Sequence, residues 1–230
     1  MRRLAALAAV LVTLTALAGC TRGDRGDDRA ATGDLPPAAE LLSGCATELR
    51  SVGTARFEIT TSGAGEMLGI AGAKGVITRA GDAEGTAQLA QGGNPVELNF
   101  VVKGDQLYVK GLTGGWQKLP LAAAASVYDP SALLDPDRGV AHVVATARDG
   151  RTEARESVDG VDTYRIRATF DTKALTTLVP GLNEQITGTL WVGADRRLLH
   201  RIELPVRNRT GTITVNLTGY DEPVTINAPV

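Results

Sequence analysis

Val96-Glu97-Leu98-Asn99-Phe100-Val101-Val102-Lys103-Gly104-Asp105-Gln106-Leu107-Tyr108-Val109-Lys110 is the stretch from which the fold follows. Val96, Leu98, Phe100 and Val102 are apolar at every second position. Leu107 and Val109 resume the pattern after Gly104-Asp105, a turn-forming pair. A period of two broken by a short turn specifies two antiparallel strands with one buried face.

The same grammar extends in both directions. Upstream, residues 55–60 alternate, residues 86–90 form a short strand, and residues 67–78 are apolar with Gly69, Gly72 and Gly75. That glycine-rich run reads as a strand with a bend or a loop over an opening. It is no nucleotide fingerprint, because no strand-turn-helix context surrounds it. Residues 116–119 close this first group of strands.

Helical patterns then interrupt. Residues 121–127 are alanine-rich, residues 131–134 lie between Pro130 and Pro136, and residues 137–147 place Val140, Val143, Val144 and Ala147 on one face. Strands return at 152–158 and 162–170, flanking the hairpin pair Asp159-Gly160. In the second of these, Tyr164, Ile166, Ala168 and Phe170 face one way. A short helix at 172–178 stops at Pro180-Gly181. Strands follow at 186–192, 198–204 and 212–217, with a turn at Asp195-Arg196 and a last edge strand at 224–226. Near the start, Pro36-Pro37 opens a helix, with Asp34 as a nearby cap. Its apolar stripe is Leu41, Leu42, Cys45 and Leu49, which makes Cys45 a small core residue.

Nine to eleven antiparallel strands with helical inserts define an α+β fold. A sheet of that width curls. Its concave face needs cover, and the alanine- and valine-rich helices are what the chain offers. Two curved layers lined by small aliphatic side chains leave room for an apolar cavity between them.

The N-terminus carries a different message. Arg2-Arg3 precede fifteen residues, 4–18, that are apolar apart from Thr13 and Thr15, and Leu17-Ala18-Gly19-Cys20 ends the run. Fifteen is short of the roughly 20 residues a spanning helix requires. The pattern is that of a signal peptide, residues 1–19, closed by a bacterial lipobox. Cys20 is then the expected lipidation site, holding the protein at the extracytoplasmic face of the cell membrane. Residues 20–34 form the lipidated cysteine and a charged, flexible tether, reaching about 20 Å as a coil. Residues 35–230 remain as a single domain.

Composition narrows the function. Net charge is −2 with 24 basic and 26 acidic residues, and removing the leader takes away two arginines and no acid. Nothing in that balance favours nucleic acid. No Gly-x-Ser-x-Gly elbow is present, and His142 and His200 are the only histidines. Neither sits in a metal-binding spacing, so no metal, cofactor or enzymatic activity is expected. Asp135, Asp137, Glu153, Glu156, Asp159 and Asp162 read as caps and turn residues.

Tyr128-Asp129-Pro130-Ser131-Ala132-Leu133-Leu134-Asp135-Pro136, with Gly139-Val140-Ala141, Gly150, Glu153, Arg155-Glu156-Ser157, Asp159-Gly160 and Asp162-Thr163, carries a further signal. Together with Phe100-Val101-Val102, Gly104, Leu107-Tyr108, Trp116 and the lipobox, it resembles the LppX/LprA/LprF/LprG family of actinobacterial lipoproteins, nearest to the LprG-like branch. The resemblance covers residues 35–230. It implies a strongly curved antiparallel half-barrel with helices on the concave face and an apolar cavity for the acyl chains of envelope lipids and glycolipids. It further implies a carrier that passes such lipids outward, in some members beside a major-facilitator lipid exporter. The other reading is an accessory lipoprotein docked on a transporter or sensor kinase. The chain is expected to be monomeric. The inward positions expected to line the cavity are Leu89, Leu98, Phe100, Leu107, Val109, Ile166, Leu190 and Val192 on strands. Val127, Val140, Val143 and Val144 join them from helices.

Overall fold

Strands and helices follow the alternation closely in the computed structural model, which describes residues 35–229 apart from 64–68, 92–93, 112–113, 125–131, 180–181, 183–184 and 207–209. Helix α1 (Ala38–Ser51) leads into β1 (Thr54–Ser62), β2 (Ile70–Thr78), β3 (Ala83–Gln91), β4 (Asn94–Lys103), β5 (Gln106–Lys110) and β6 (Gln117–Pro120). The short helices α2 (Leu121–Ala124) and α3 (Val140–Ala145) follow, then β7 (Arg148–Val158), β8 (Val161–Phe170) and α4 (Thr172–Leu178). β9 (Ile186–Gly193), β10 (Leu199–Val206) and β11 (Gly211–Thr218) complete the fold.

All eleven strands join one curved, open antiparallel sheet in the order β6-β5-β4-β3-β2-β1-β11-β10-β9-β8-β7. The first and last strands of the chain, β1 and β11, meet in the middle. Two meanders thus share a seam, each running outward to a free edge. Register fixes the faces. Phe57 pairs with Gly75 and Leu217, and Ile59 with Ala73 and Val215, so these residues share the inner face. The inner row continues through Gly85, Phe100 and Val109 on one side. It continues through Ile202, Leu190 and Ile166 on the other.

Helix α1 lies on this inner face, against α3, β7 and β9. Its stripe of Leu41, Leu42, Cys45, Ala46 and Leu49 is buried in one cluster with Phe57, Ile166, Leu190, Ile202 and Leu217. Helix α3 adds Val140, Val143 and Val144, and α4 adds Ala174 and Leu175. Asp171 caps α4 by accepting the Ala174 amide at 3.1 Å. At the β7–β8 hairpin both Asp159 and Gly160 take positive φ, as a tight primed turn requires.

Some boundaries differ from the sequence expectation. Residues 224–226 form no strand; this tail runs as coil, with Ile226 buried. The helix expected at 137–147 begins only at Val140. Asp135 holds the preceding residues in a turn by accepting the amides of Asp137 and Arg138. Residues 132–134 form a turn, closed by the Asp135 amide on the Ala132 carbonyl at 3.2 Å. β7 starts four residues early, because bulges within Arg148–Ala154 disturb the alternation that marks a strand. The Asp34 cap and the ends of the helices expected at 121–127 and 131–134 lie outside the described residues.

Cys45 is fully buried and is the one free cysteine among the described residues. Burial, helped by the Glu48 charge, pushes its thiol far above the ordinary range. Native protein at pH 8 should therefore leave Cys45 unmodified by iodoacetamide for hours and alkylate fully in denaturant, as read by mass spectrometry. Rapid labelling of the native state would contradict the packing of α1.

Candidate functional site

The inner face of the sheet is largely apolar, yet the described helices cover only part of it. Ile166, Leu190 and Val192 on β8 and β9 are fully buried under α1 and α3. On the β2–β6 half, the equivalent positions Ala73, Ala87, Leu89, Leu98, Leu107 and Val109 are only partly buried.

The incomplete cover is graded along the strands. On β4, exposure rises along the inner row from Val102 at 0% through Phe100 at 8% to Val96 at 38%. At the Val102 end, Ala83 and Ile77 are also fully buried. The apolar face therefore opens towards the end where β3 turns into β4, with Gln91 opposite Asn94. At the free edge, Leu119 of β6 is 40% exposed. The result is a half-cup: an aliphatic wall closed at the Val102 end and left uncovered towards Val96 and Leu119 by the described residues.

Placement of the expected lining residues divides them. Leu89, Leu98, Phe100, Leu107 and Val109 form the wall of this half-cup. Ile166, Leu190, Val192, Val140, Val143 and Val144 sit in the packed core between sheet and helices. Val127 and Cys20 lie outside the described residues. Ala73 and Ala87, which face each other across β2 and β3, belong to the same wall. Their alternation with Gly75 and Gly85 was the available signal.

The polar residues of the middle of the chain serve the structure. Arg155 pairs with Asp162, Arg165 with Glu153 and Glu156, and Arg201 with Asp159. Glu156 also accepts the indole N–H of Trp191 at 2.6 Å. His200 packs edge-on to Tyr220, and burial lowers its pKa. Among the described residues no group of three or more His, Cys, Asp or Glu gathers to hold a metal ion, and no helix is long and apolar enough to cross a membrane.

Residues 37–226 match the family model of the LppX_LprAFG lipoproteins. The chain belongs to this family. Among LppX_LprAFG relatives, the lipoarabinomannan carrier protein LprG of Mycolicibacterium hassiacum is 34% identical over 235 residues, covering 99% of this chain and 98% of its own. The crystal structure of LprF from Mycobacterium bovis superposes with a TM-score of 0.74 at 23% identity, over 86% of this chain and 99% of LprF. Mycobacterium tuberculosis LppX superposes with a TM-score of 0.64 at 18% identity, over 83% of this chain and 98% of LppX. Both structures share the fold.

A packed core and an uncovered wall respond differently to truncation. Leu190→Ala should cost about 3 kcal/mol, within the range for buried leucines. Leu98→Ala should cost about 1 kcal/mol or less, because its side chain is already partly in solvent. Urea unfolding of delipidated protein measures both, and equal losses would mean that the half-cup is ordinary core.

Proposed function

We propose that this protein is a membrane-anchored carrier that takes the acyl chains of an envelope lipid or glycolipid into the half-cup. The observation that carries the reading is the graded exposure from Val102 to Val96 over an aliphatic wall. A C16 acyl chain in water is disfavoured by on the order of 10 kcal/mol relative to an apolar site. Leu89, Leu98, Leu107 and Val109 offer such a site without bond chemistry. Relatives named lipoarabinomannan carriers support a glycolipid as cargo. Membership of a lipoprotein family supports Cys20 as the anchor, with the domain working at the extracytoplasmic face of the cell membrane. A lipid exporter in the same membrane is the natural receiver of the cargo.

Lipid extracted from the full chain purified from an actinobacterial host should contain one acylated lipid per protein beyond the anchor itself, as counted by mass spectrometry. Leu98→Trp, which fills the wall, should lower that occupancy at least about tenfold. Wild type without lipid, or a Trp variant loaded as fully, would leave the accessory-lipoprotein reading in its place.

Cys20→Ala should carry as much lipid as wild type but partition into the aqueous phase of a Triton X-114 extraction. Loss of lipid in this variant would contradict the separation of anchor from cup.

A further inference from the structure

The outer face of the same sheet differs sharply between its two halves. Around Trp191 it is sealed. Glu156 ties the indole to Arg165, the Arg201 guanidinium lies 5.8 Å over the ring, and Trp191 is 8% exposed. Over β2–β4, by contrast, the outer face carries a groove of about 440 Å³. A smaller hollow of about 140 Å³ adjoins it and shares Thr86.

Gly75 and Gly85 pair across β2 and β3. A Cβ at either would collide with the carbonyl oxygen of the facing strand, that of Glu84 or Lys74. Glycine at both positions lets the two backbones approach where any side chain would clash. Both glycines lie in the groove's lining.

Its lining is two-sided in character. Val76, Val101 and the half-buried Trp116 provide apolar surface, while Glu84, Thr86 and Asn99 present polar groups. Register places Val76, Glu84 and Val101 in one outer row and Thr86 and Asn99 in the next. The side chains of Glu84, Thr86 and Asn99 have no hydrogen-bond partner among the described residues. Arg56, at the end of the groove, already pairs with Glu222 at 2.9 Å. One cation opposite one free carboxylate does not select an anion. An acyl chain would strand the polar groups.

A pyranose ring has the matching chemistry: an apolar C–H face for Trp116 and a rim of hydroxyls for the carboxylate, amide and hydroxyl groups. We propose that this outer groove binds a segment of neutral glycan, with Trp116 as the stacking platform and Glu84, Thr86 and Asn99 as hydroxyl partners. Two sources share that chemistry, the head group of the carried glycolipid and a separate envelope polysaccharide. The first is reachable from the cup, because only the short strands β5 and β6 separate β4 from the free edge. The inference leans on the carrier reading only for the choice of probe.

The test uses the full chain in detergent micelles with Trp191→Phe, which leaves Trp116 as the single tryptophan. Mannotetraose is titrated while Trp116 emission and binding heat are recorded. Saturable binding is expected. Asn99→Ala and Glu84→Gln should weaken it about tenfold each, Trp116→Ala should abolish it and Trp116→Tyr should retain it. Lys173→Ala, on the exposed side of α4 and outside the groove, should leave it unchanged. Preloading the cup with a mannosylated glycolipid and, separately, with triacylglycerol separates the sources. Competition by the glycolipid alone assigns the groove to the cargo's own head group, and no competition assigns it to a separate glycan; the groove is a glycan site in both cases. Absence of saturable binding in a protein that still carries lipid would overturn the proposal and leave the carrier reading intact. Equal affinity of wild type and Asn99→Ala with Glu84→Gln would overturn it as well.

Discussion

Burial of one face of a wide sheet is the constraint on which this structure depends. Eleven alternating strands present a continuous apolar surface, and water must be kept from it. Helix α1 meets that demand for the half built from β7 to β11 and the β1 seam. Curling of the sheet towards α1 does the rest near the Val102 end. The β2–β6 half has too little helix above it to be sealed among the described residues, and its aliphatic row stays accessible towards Val96. The proposed carrier function rests on that shortage. A fold that covered both halves equally would be a stable domain with nowhere to put a ligand.

Small residues do the shaping. Ala73, Ala87, Gly75 and Gly85 occupy paired inner positions on β2 and β3. Larger side chains there would fill the cup and prevent the approach of the two backbones. The scarcity of aromatic residues in the whole chain fits the same requirement. Aromatic bulk is instead placed where it does not obstruct. Both tryptophans are on the outer face, one locked by ion pairs and one beside an open groove.

Much of this was legible in the chain. The 96–110 stretch specified a hairpin and the inward set Leu98, Phe100, Leu107 and Val109, because pleating makes facing a matter of parity. The helix expected at 172–178 formed as α4, Thr172–Leu178. Parity does not say which inward residues are covered. Ile166 and Leu98 read alike in sequence; one is fully buried and the other half-open, because the position of α1 depends on contacts more than a hundred residues apart, such as the Thr152 hydroxyl on the Pro36 carbonyl. The 224–226 segment alternates like a strand but has no free edge beside it, since β1 and β11 already pair with each other. The outer groove is lined by two glycines that only the register brings together.

Among the described residues the sheet keeps two unpaired edges, and their chemistry would matter for a protein held in a plane by the proposed anchor. Anchored molecules diffuse in two dimensions, where encounters between identical neighbours are frequent and mutual orientation is restricted. Unpaired strands in that setting invite sheet-to-sheet polymerisation. β6 is only four residues long, fully exposed, and carries Lys118 and Pro120. β7 is long, but it is interrupted by bulges and carries Arg148, Arg151, Glu153 and Arg155. Both edges are poor templates. If the proposed anchor holds these molecules side by side, such edges would leave them a population of separate cups rather than a fused sheet.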